Sequence, residues 1–519
     1  VTGVQTCALP IFHKFIVKFI TNLFKKMKLK YLFNALFLTL VFISCSRDDN
    51  NDTGSTTKPD EINNFVWKAM NSWYYWQPNV PNLADSFDDN QTTYANFLNG
   101  NTPDKLFYSL LYQRGTIDRF SWIENNNEVV YSSKIAEVEK SGGFDIGIYP
   151  KDNTNTTAVA LVNYVVPNSP AALAGLKRGD VITKVNGSPL TLNNSDLLYN
   201  NQVTVTLAAT VQLTSTGLIT TDKTSSISIT QADIDENPIA YYEKKVYGTK
   251  NIGYLVFNAF KADYNDELNA AFAQMKADGI NELVLDLRYN GGGSLETAVA
   301  LAGMINGNYS GSPYVFLDFN NKHNSEDGFD YLSNQMNTYS LVNNRPEKSG
   351  TQTINSLNLT KVYVLVNFQT ASASELTVQC LKKYVNVVTI GYDTVGKFVG
   401  SITLYDSPAQ DYTSYTNRNT KHNWQLQPIT FSYYNKDKDV NPEFIAPNYE
   451  VNPYSIFNNL TAFGDVRDPF LKKALELITG QSFRMGNTST SSFENKNLQK
   501  FNPTNAAKGL YIQDFQNFR

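Results

Sequence analysis

The sequence predicts an α/β protein whose main unit lies in the second half of the chain. Four short apolar runs, each long enough for a buried strand, alternate there with three segments of helical spacing. Strands are predicted at residues 252–257, 283–287, 362–366 and 387–390, and helices at residues 263–277, 294–305 and 374–384. Such alternation is typical of a sheet covered by helices. A chain of 519 residues has room for roughly two to four domains.

The start of the chain carries the features of an exported protein. Residues 1–26 are set aside, because the first part resembles a translated sequencing adapter and the rest translated upstream sequence, so Met27 is the expected start. Two lysines and an apolar run at residues 31–43 follow, and this run is too short to span a bilayer. It ends in Phe-Ile-Ser-Cys45, which resembles a lipoprotein signal. We therefore expect Cys45 to be acylated and to anchor the protein to a membrane, the alternative being a secretory signal followed by a free cysteine.

The rest of the chain divides by composition. Polar residues without apolar periodicity follow Cys45, which indicates a flexible tether. Aromatic-rich segments of helical spacing then predict a small helical cap domain, and a helix predicted at residues 465–479 precedes a polar tail that we expect to be flexible. The predicted division is residues 1–26 extraneous, 27–44 signal peptide, 45–60 linker, 61–129 helical cap domain, 130–236 second domain, 237–480 α/β body and 481–519 polar tail.

A serine and a lysine in the α/β body are the first candidates for chemistry. Ser372 follows the predicted strand 362–366 at the mouth of a helix, where free N–H groups and the helix dipole favour developing negative charge. Lys397 lies in a Thr-Val-Gly-Lys turn, and a lysine whose pKa is lowered by burial can activate a serine hydroxyl. The alternative is structural: with Glu375, Ser372 also fits a capping box, and a lone lysine is usually a surface charge.

A glycine triplet in the same unit supplies the second candidate. The predicted strand 283–287 ends in Arg288, Asn290 and the glycines at 291–293, and a helix follows. Glycines can bring bare backbone N–H groups close to a reacting carbonyl oxygen. A phosphate cradle is less well supported, since neither GxxxxGK[ST] nor GxGxxG is present.

Together these segments resemble the S41 family of serine peptidases, the C-terminal-processing proteases. The family pattern D-L-R-x-N-x-G-G matches residues 286–293, [ST]-A-S-A-[SA]-E matches residues 370–375, and a G-K turn follows at the family's interval. The resemblance implies a crotonase-like and Clp-protease-like core in the α/β body. It also implies Ser372 as nucleophile and Lys397 as general base, with Ser374 disfavoured by its interval to the lysine. The implied oxyanion hole combines the N–H of Ala373 with that of Gly292 or Gly293.

The third catalytic position departs from the family pattern. Some members carry a glutamine four residues after the lysine, where this chain has Ser401, and others an aspartate in the helix, where it has Lys383. Either Ser401 hydrogen-bonds Lys397, or the site works as a dyad.

A second module precedes the α/β body. Residues 165–187 (VVPNSPAALAGLKRGDVITKVNG) resemble a bacterial PDZ domain, with a short helix at 170–174, a Gly-Asp turn and a strand. The segment that resembles its carboxylate-binding loop consists of Gly143, Phe144, Asp145, Ile146 and Gly147. Such a loop aims N–H groups at a peptide's C-terminal carboxylate while the open strand edge pairs with the peptide. The alternative is a PDZ-like domain that only packs against the body. Asp118–Trp122 resemble the D-[RK]-F-[ST] segment that precedes the PDZ domain in this family.

Composition narrows the range of partners. A net charge of −4, with no basic stripe outside the leader, argues against nucleic acid. The three histidines show no metal-ligand spacing, so neither a metal nor another cofactor is expected. Cys380 lies on the apolar face of a predicted helix, as a core residue would.

The expectation from sequence is a serine endopeptidase that captures the C-termini of its polypeptide substrates through a PDZ domain. It is expected to be exported and lipid-anchored in the envelope of a Gram-negative bacterium, on the surface or periplasmic face of the outer membrane; no oligomeric state is predicted. Two rival hypotheses remain, namely an inactive PDZ-type peptide-binding lipoprotein and an acyl-thioester-binding protein built on the same core.

Overall fold

The helical domain comes first in the part of the chain that the structure covers. The computed structural model describes residues 58–125, 138–342, 345–457, 459–483, 493–495, 498, 509–512 and 515. The predicted leader, Cys45 and most of the linker lie outside these residues. The described residues all fall in one contact unit, Thr57–Arg519.

Three helices form the N-terminal domain, which the sequence predicted to be helical. They are α1 (Glu61–Trp73), α2 (Gln91–Asn99) and α3 (Pro103–Ser109), and the strand β1 (Trp122–Asn125) follows them. The Asp60 carboxylate caps α1 by accepting the N–H of Asn63 at 2.9 Å. The buried face of α1 carries the aromatic residues Phe65 and Trp73, so the aromatic cluster forms core, as the sequence indicated.

The second domain is an antiparallel sheet with one short helix. Its strands run in the order β3-β4-β5-β7-β8, with β6 paired to β5, and β2 pairs with β9. The helix-turn-strand sequence predicted for residues 170–187 is present, because α4 leads through a turn to β5. The Asp180 carboxylate closes this turn by accepting the N–H of Lys177 at 2.8 Å. In chain order the elements are β2 (Val138–Ser141), β3 (Phe144–Pro150), β4 (Ala158–Val165), α4 (Pro170–Leu173), β5 (Val181–Val185), β6 (Ser188–Pro189), β7 (Gln202–Thr214), β8 (Gly217–Thr230) and β9 (Ala232–Asp235).

The third unit is the predicted α/β body. A sheet in the order β10-β11-β12-β17-β18-β23 forms its centre, and β11, β12, β17 and β18, the four strands predicted from sequence, run parallel. Its elements are β10 (Ile239–Tyr247), β11 (Lys250–Phe257), α5 (Asn265–Ala277), β12 (Glu282–Asp286), α6 (Leu295–Ile305), β13 (Pro313–Phe319), β14 (Gly328–Tyr331), β15 (Gln335–Val342), β16 (Arg345–Thr353), β17 (Lys361–Val366), α7 (Ala373–Leu381), β18 (Asn386–Gly391), β19 (Val399–Ser401), β20 (Leu404–Tyr405), β21 (Trp424–Gln427), β22 (Ile429–Asn435), β23 (Tyr449–Glu450) and α8 (Pro469–Thr479).

Both faces of the parallel sheet are buried, which explains why its strands are continuous apolar runs rather than alternating ones. Successive side chains of a strand point to opposite faces. Accordingly, Leu255 and Leu285 join the core formed with α5, α6 and α7, whereas Tyr254 and Val284 join the core formed with α8 and the second domain. The sheet therefore packs against helices of the body on one face and against α8 and the second domain on the other.

Two smaller sheets stand beside the main one. One has the order β14-β13-β22-β19, and the other, β1-β21-β20, joins the N-terminal domain to the body. Of the helices in the described ranges, none has both the length and the apolar composition required to cross a bilayer.

Candidate active site

The loop after β17 that carries Ser372, here called the serine loop, and the loop after β12 that carries the glycines at 291–293, here called the glycine loop, leave the same edge of the main sheet. The strands β12 and β17 are parallel neighbours in register, with Asp286 opposite Leu365, and the N–H of Leu287 donates to the carbonyl of Leu365 at 3.0 Å. Because the carboxyl ends of parallel strands share one edge, the loops that follow them must meet there. The two loops are far apart in the sequence, and the parallel pairing of β12 with β17 brings them together.

Ser372 occupies a strained turn between β17 and α7. Its φ of +62° and ψ of −113° lie outside the regions that side-chain-bearing residues normally adopt, and such a conformation costs about 1–3 kcal/mol. The residue is fully buried and is the N-cap of α7. Backbone strain of this kind persists only where the surrounding structure holds the residue in place. Here it fixes the hydroxyl of Ser372 at the N-terminus of α7.

The glycine loop touches this serine directly. A Cβ on Gly292 (φ +110°) would lie 2.8 Å from Cβ of Ser372 and 3.0 Å from the amide nitrogen of Ala373, so only glycine fits. The N–H of Gly292 donates to Oδ1 of Asn290 at 2.9 Å. Of the three predicted oxyanion donors, Gly292 therefore has its N–H engaged by the side chain of Asn290. The N–H groups of Ala373 and Gly293 take no part in that bond.

Ser374, the alternative nucleophile, is engaged in structure. Its hydroxyl donates to the carbonyl of Asn290 at 3.0 Å, and the Asn290 amide donates to the carbonyl of Phe257 at 2.9 Å. Ser374 therefore holds the glycine loop against α7.

Lys397 is a buried amine. Its side chain is 3% exposed, and Nζ lies 4.7 Å from the ring centre of Phe120. Burial lowers the pKa of Lys397 from 10.5 to about 7, although the carboxylates of Asp118 and Glu375 pull in the opposite direction. A large fraction of this lysine is thus unprotonated at neutral pH and able to accept a proton.

Glu375 connects the serine to the lysine through their backbones. Its carboxylate accepts the N–H groups of Ser372 and Lys397, both at 2.8 Å, together with the N–H of Gly396 at 2.7 Å and the hydroxyl of Thr394. Burial raises the pKa of Glu375, and the four donors oppose that rise. The sequence predicted the local part of this arrangement, the capping box. It did not predict the hydrogen bonds that the Glu375 carboxylate accepts from Gly396 and Lys397 in the lysine turn.

The N-terminal domain supplies one wall of the site, which sequence reasoning also missed. The guanidinium of Arg119 donates to the carbonyls of Val395 and Gly396, both at 3.2 Å. The hydroxyl of Ser121 accepts the N–H of Ile429 at 2.9 Å. The only available signal was the Asp118–Trp122 motif, which gave no spatial partner.

Ser401, predicted as a possible third member, lies on β19. Its hydroxyl accepts a hydrogen bond from Nε2 of Gln427 at 2.8 Å and donates to the carbonyl of Leu510 at 3.4 Å. A role for Ser401 in orienting Lys397 stays a prediction.

Part of the polar tail lies in the site. The N–H of Leu510 donates to Oγ of Ser372, and a Cβ on Gly509 would lie 1.7 Å from Nζ of Lys397. The serine and the lysine thus face the same dipeptide. This burial differs from the flexible tail expected from composition, because a short apolar run, Gly-Leu-Tyr-Ile, is hidden within a polar segment.

An ion network beneath the glycine loop joins the second domain to the body. The Arg288 guanidinium contacts Asp286 at 2.6 Å and Asp468 at 2.7 Å, all three side chains being buried. Arg178, from the predicted PDZ segment, reaches Asp468 at 3.5 Å. The Asp and Arg of the D-L-R motif therefore have a structural task.

The segment predicted to bind a carboxylate forms a turn and an edge strand. Gly143 adopts a φ of +73° in the turn, and Phe144, Asp145, Ile146 and Gly147 lie in β3. Among the described residues, β3 pairs only with β4. The side chain of Gln369, in the serine loop, donates to the carbonyl of Ile146 at 3.0 Å, so the edge strand touches the site's own loop.

A second serine, beside a histidine, does not form a hydrolytic triad. Oγ of Ser72 lies 3.1 Å from Nε2 of His323, but Asp411 binds Oγ of Ser72 at 2.8 Å and lies 3.5 Å from the same Nε2. A triad needs the carboxylate on the other ring nitrogen. Within the described part of the chain, no group of three His, Cys, Asp or Glu side chains is placed to hold a metal ion.

Comparison with known proteins gives three matching segments. Residues 251–451 match the model of peptidase family S41, residues 61–122 match the peptidase S41 N-terminal domain, and residues 161–208 match a PDZ domain.

Two curated relatives carry the name "Probable CtpA-like serine protease". That of Staphylococcus haemolyticus (strain JCSC1435) is 26% identical over 295 residues, which cover 56% of this chain and 51% of the relative. That of Staphylococcus aureus (strain N315) is 30% identical over 254 residues, which cover 47% and 42%. The chain spans about half the length of these relatives.

A solved structure shares the fold. The crystal structure of a candidate S41 protease from Bacteroides fragilis NCTC 9343 has a TM-score of 0.59 and 24% identity, and the match covers 84% of this chain and 99% of that one. The predicted architecture, an α/β core with a PDZ domain and an N-terminal helical domain, is confirmed. Residues 251–451 are thus similar to peptidase family S41, and residues 61–122 to the N-terminal domain of that family.

Proposed function

We propose that this chain is a serine endopeptidase that cleaves polypeptides through Ser372 and Lys397. The observation that supports the proposal most is that the hydroxyl of Ser372 and the amine of Lys397, both buried, face one dipeptide of an extended segment. A lysine with a pKa of about 7 is a suitable base at neutral pH.

In the proposed reaction, neutral Lys397 takes the hydroxyl proton while Oγ of Ser372 attacks the scissile carbonyl carbon. The N–H groups of Ala373 and Gly293 meet the negative oxygen, and one such donor typically contributes ~10²–10³ in rate. Lys397 then passes the proton to the leaving amine as the C–N bond breaks. Water, deprotonated by the same lysine, hydrolyses the acyl ester and regenerates Ser372.

The test is the hydrolysis of an unstructured polypeptide by the Ser372→Ala variant. We expect kcat to fall by at least about 10⁴-fold, since removal of a catalytic nucleophile has effects of that order. The Ser374→Ala variant is the matched control, and its loss should be far smaller because only the bond to Asn290 disappears.

Equal rates for Ser372→Ala and the parent would refute the assignment. A serine-directed acylating probe separates the rival hypothesis, an inactive peptide-binding protein. The probe should label Ser372 of the parent, whereas an inactive site would remain unlabelled.

We further propose that the second domain captures the C-terminus of the substrate along the edge of β3. The support is the Gly143 turn at the head of an edge strand that is paired on one side, which is the arrangement of peptide addition to a sheet. We expect a substrate with an amidated C-terminus to have a KM about tenfold higher than the free acid, by loss of a charge-assisted contact. Equal KM values would contradict carboxylate capture.

The proposed location is the cell envelope, through a lipid on Cys45. The support is the apolar run that ends in Phe-Ile-Ser-Cys, which lies outside the described residues. Cells fed an alkyne fatty acid should yield labelled parent protein and unlabelled Cys45→Ala protein. Labelling of both would contradict the anchor.

A further inference from the structure

Residues 509–512, here called the tail segment, lie as an extended strand between two pieces of backbone. On one side, the N–H of Tyr511 donates to the carbonyl of Gly293 at 3.1 Å, and the carbonyl of Tyr511 accepts the N–H of Leu295 at 3.0 Å. On the other side, the N–H of Ser401 donates to the carbonyl of Leu510 at 3.1 Å, and the carbonyl of Ser401 accepts the N–H of Ile512 at 3.3 Å. We call the gap between residues 293–295 and Ser401 the strand slot.

The side chains of the tail segment are buried as well. Leu510 is fully buried, Ile512 is 4% exposed and Tyr511 is 9% exposed. Farther along, the ring of Phe515 packs 5.2 Å from that of Trp73 and 5.8 Å from that of Phe319. Backbone pairing on both edges, combined with apolar burial, is the pattern of a bound peptide.

The tail segment sits in an unreactive position on the serine. The atom bonded to Oγ of Ser372 is the amide nitrogen of Leu510, which donates its hydrogen to the oxygen. An attacking hydroxyl must instead direct a lone pair at a carbonyl carbon. At Gly509 the chain passes so close to Nζ of Lys397 that a side chain would collide with the amine. The segment therefore covers both groups without offering a bond to cleave.

We propose that the tail segment is a built-in peptide ligand of the strand slot, which it closes to peptides arriving in trans. The proposal deepens the proposed peptidase function, because it assigns that site an intramolecular regulator. It also names the ligand class, an extended apolar segment held mainly through its backbone.

Peptide binding tests the proposal without requiring turnover. The probe is a fluorescent peptide of residues 507–514 (AKGLYIQD), measured by anisotropy against the full chain and a chain ending at residue 505, both carrying Ser372→Ala. We expect the shortened chain to bind at least about tenfold more tightly, since a slot that is mostly occupied lowers apparent affinity by the open fraction. Equal affinities, or no saturable binding to the shortened chain, would overturn the proposal.

A point variant guards against misfolding of the shortened chain. In the full chain, Leu510→Asp places a carboxylate in a buried apolar position and should release the tail segment, whereas Leu510→Met conserves volume and should keep it in place. We expect Leu510→Asp to bind the peptide like the shortened chain and Leu510→Met to bind it like the parent.

Turnover separates this proposal from the proposed function. With Ser372 present, Leu510→Asp should hydrolyse an unstructured polypeptide with a kcat/KM about tenfold above that of the parent, by the same open-fraction argument. If the released chain binds the peptide and hydrolyses nothing, the ligand proposal stands and the peptidase function fails. If parent and Leu510→Asp bind and hydrolyse equally, the ligand proposal fails and the peptidase function stands.

Discussion

The Lys397→Met variant is expected to resist unfolding at pH 7 better than the parent, while losing activity. In the folded chain the pKa of Lys397 is about 7, against an ordinary value of 10.5 for an exposed lysine, so at neutral pH the unfolded chain gains a proton that the folded chain binds poorly. That difference corresponds to at most roughly 5 kcal/mol of lost stability, at about 1.36 kcal/mol per pH unit. Methionine has a similar length and carries no charge, so it removes the penalty.

The sign of the pH dependence follows from the lowered pKa. Between pH 7 and 10.5 the unfolded chain holds more protons at this position than the folded chain, so the parent gains stability as the pH rises through that window. The penalty is complete below about pH 7 and absent above 10.5. The advantage of Lys397→Met should therefore shrink towards high pH.

Urea unfolding of both chains at several pH values measures this effect. Lys276→Met, at an exposed position of α5, is the control and should leave the pH dependence as in the parent. Equal midpoints for the parent and Lys397→Met across the whole range would show that the lysine is not held unprotonated.

The second large effect is expected for Glu375→Ala. This substitution leaves two buried N–H groups, those of Ser372 and Lys397, and the half-buried N–H of Gly396 without their acceptor. Each buried donor left unsatisfied costs about 1–3 kcal/mol, so a loss of several kcal/mol is expected. Because the same groups position Ser372 and Lys397, kcat should fall as well, with KM much less affected.

Glu375→Gln is the matched control. With its amide oxygen towards Ser372 and Lys397, glutamine keeps both of those bonds and loses chiefly the one from Gly396, because the Thr394 hydroxyl can turn to accept. We expect stability and kcat between those of the parent and Glu375→Ala. If the Glu375→Ala chain had the kcat and stability of the parent, the hydrogen bonds of Glu375 would neither stabilise the fold nor position Ser372 and Lys397.

The core of the site was predictable because its signals are local. The strand, turn and helix around Ser372 and the glycines before α6 are each encoded in one short stretch, and parallel neighbours in a sheet bring such stretches to one edge. Glu375 was visible only as a capping residue, since its bonds to Gly396 and Lys397 depend on a turn more distant in sequence.

Other parts of the site arise from contacts between domains. Phe120 and Arg119 reach the lysine turn through the docking of the N-terminal domain, for which the sequence pattern has no periodic signal. Gln427 meets Ser401 because β21 ends two residues before Ile429 of β22, which pairs with Ser401 of β19, and the sequence does not show this strand pairing. The tail segment was hidden because four apolar or small residues barely alter the composition of a polar stretch.

The strand slot also restricts which amino acids its occupant can have at three positions. Three consecutive amides of its occupant, at positions 510, 511 and 512, each donate their hydrogen, to Ser372, Gly293 and Ser401. Proline has no such hydrogen, so it is excluded from all three positions for any chain that follows the same path. Peptides with proline at any of these three positions should therefore bind the strand slot poorly, however apolar they are.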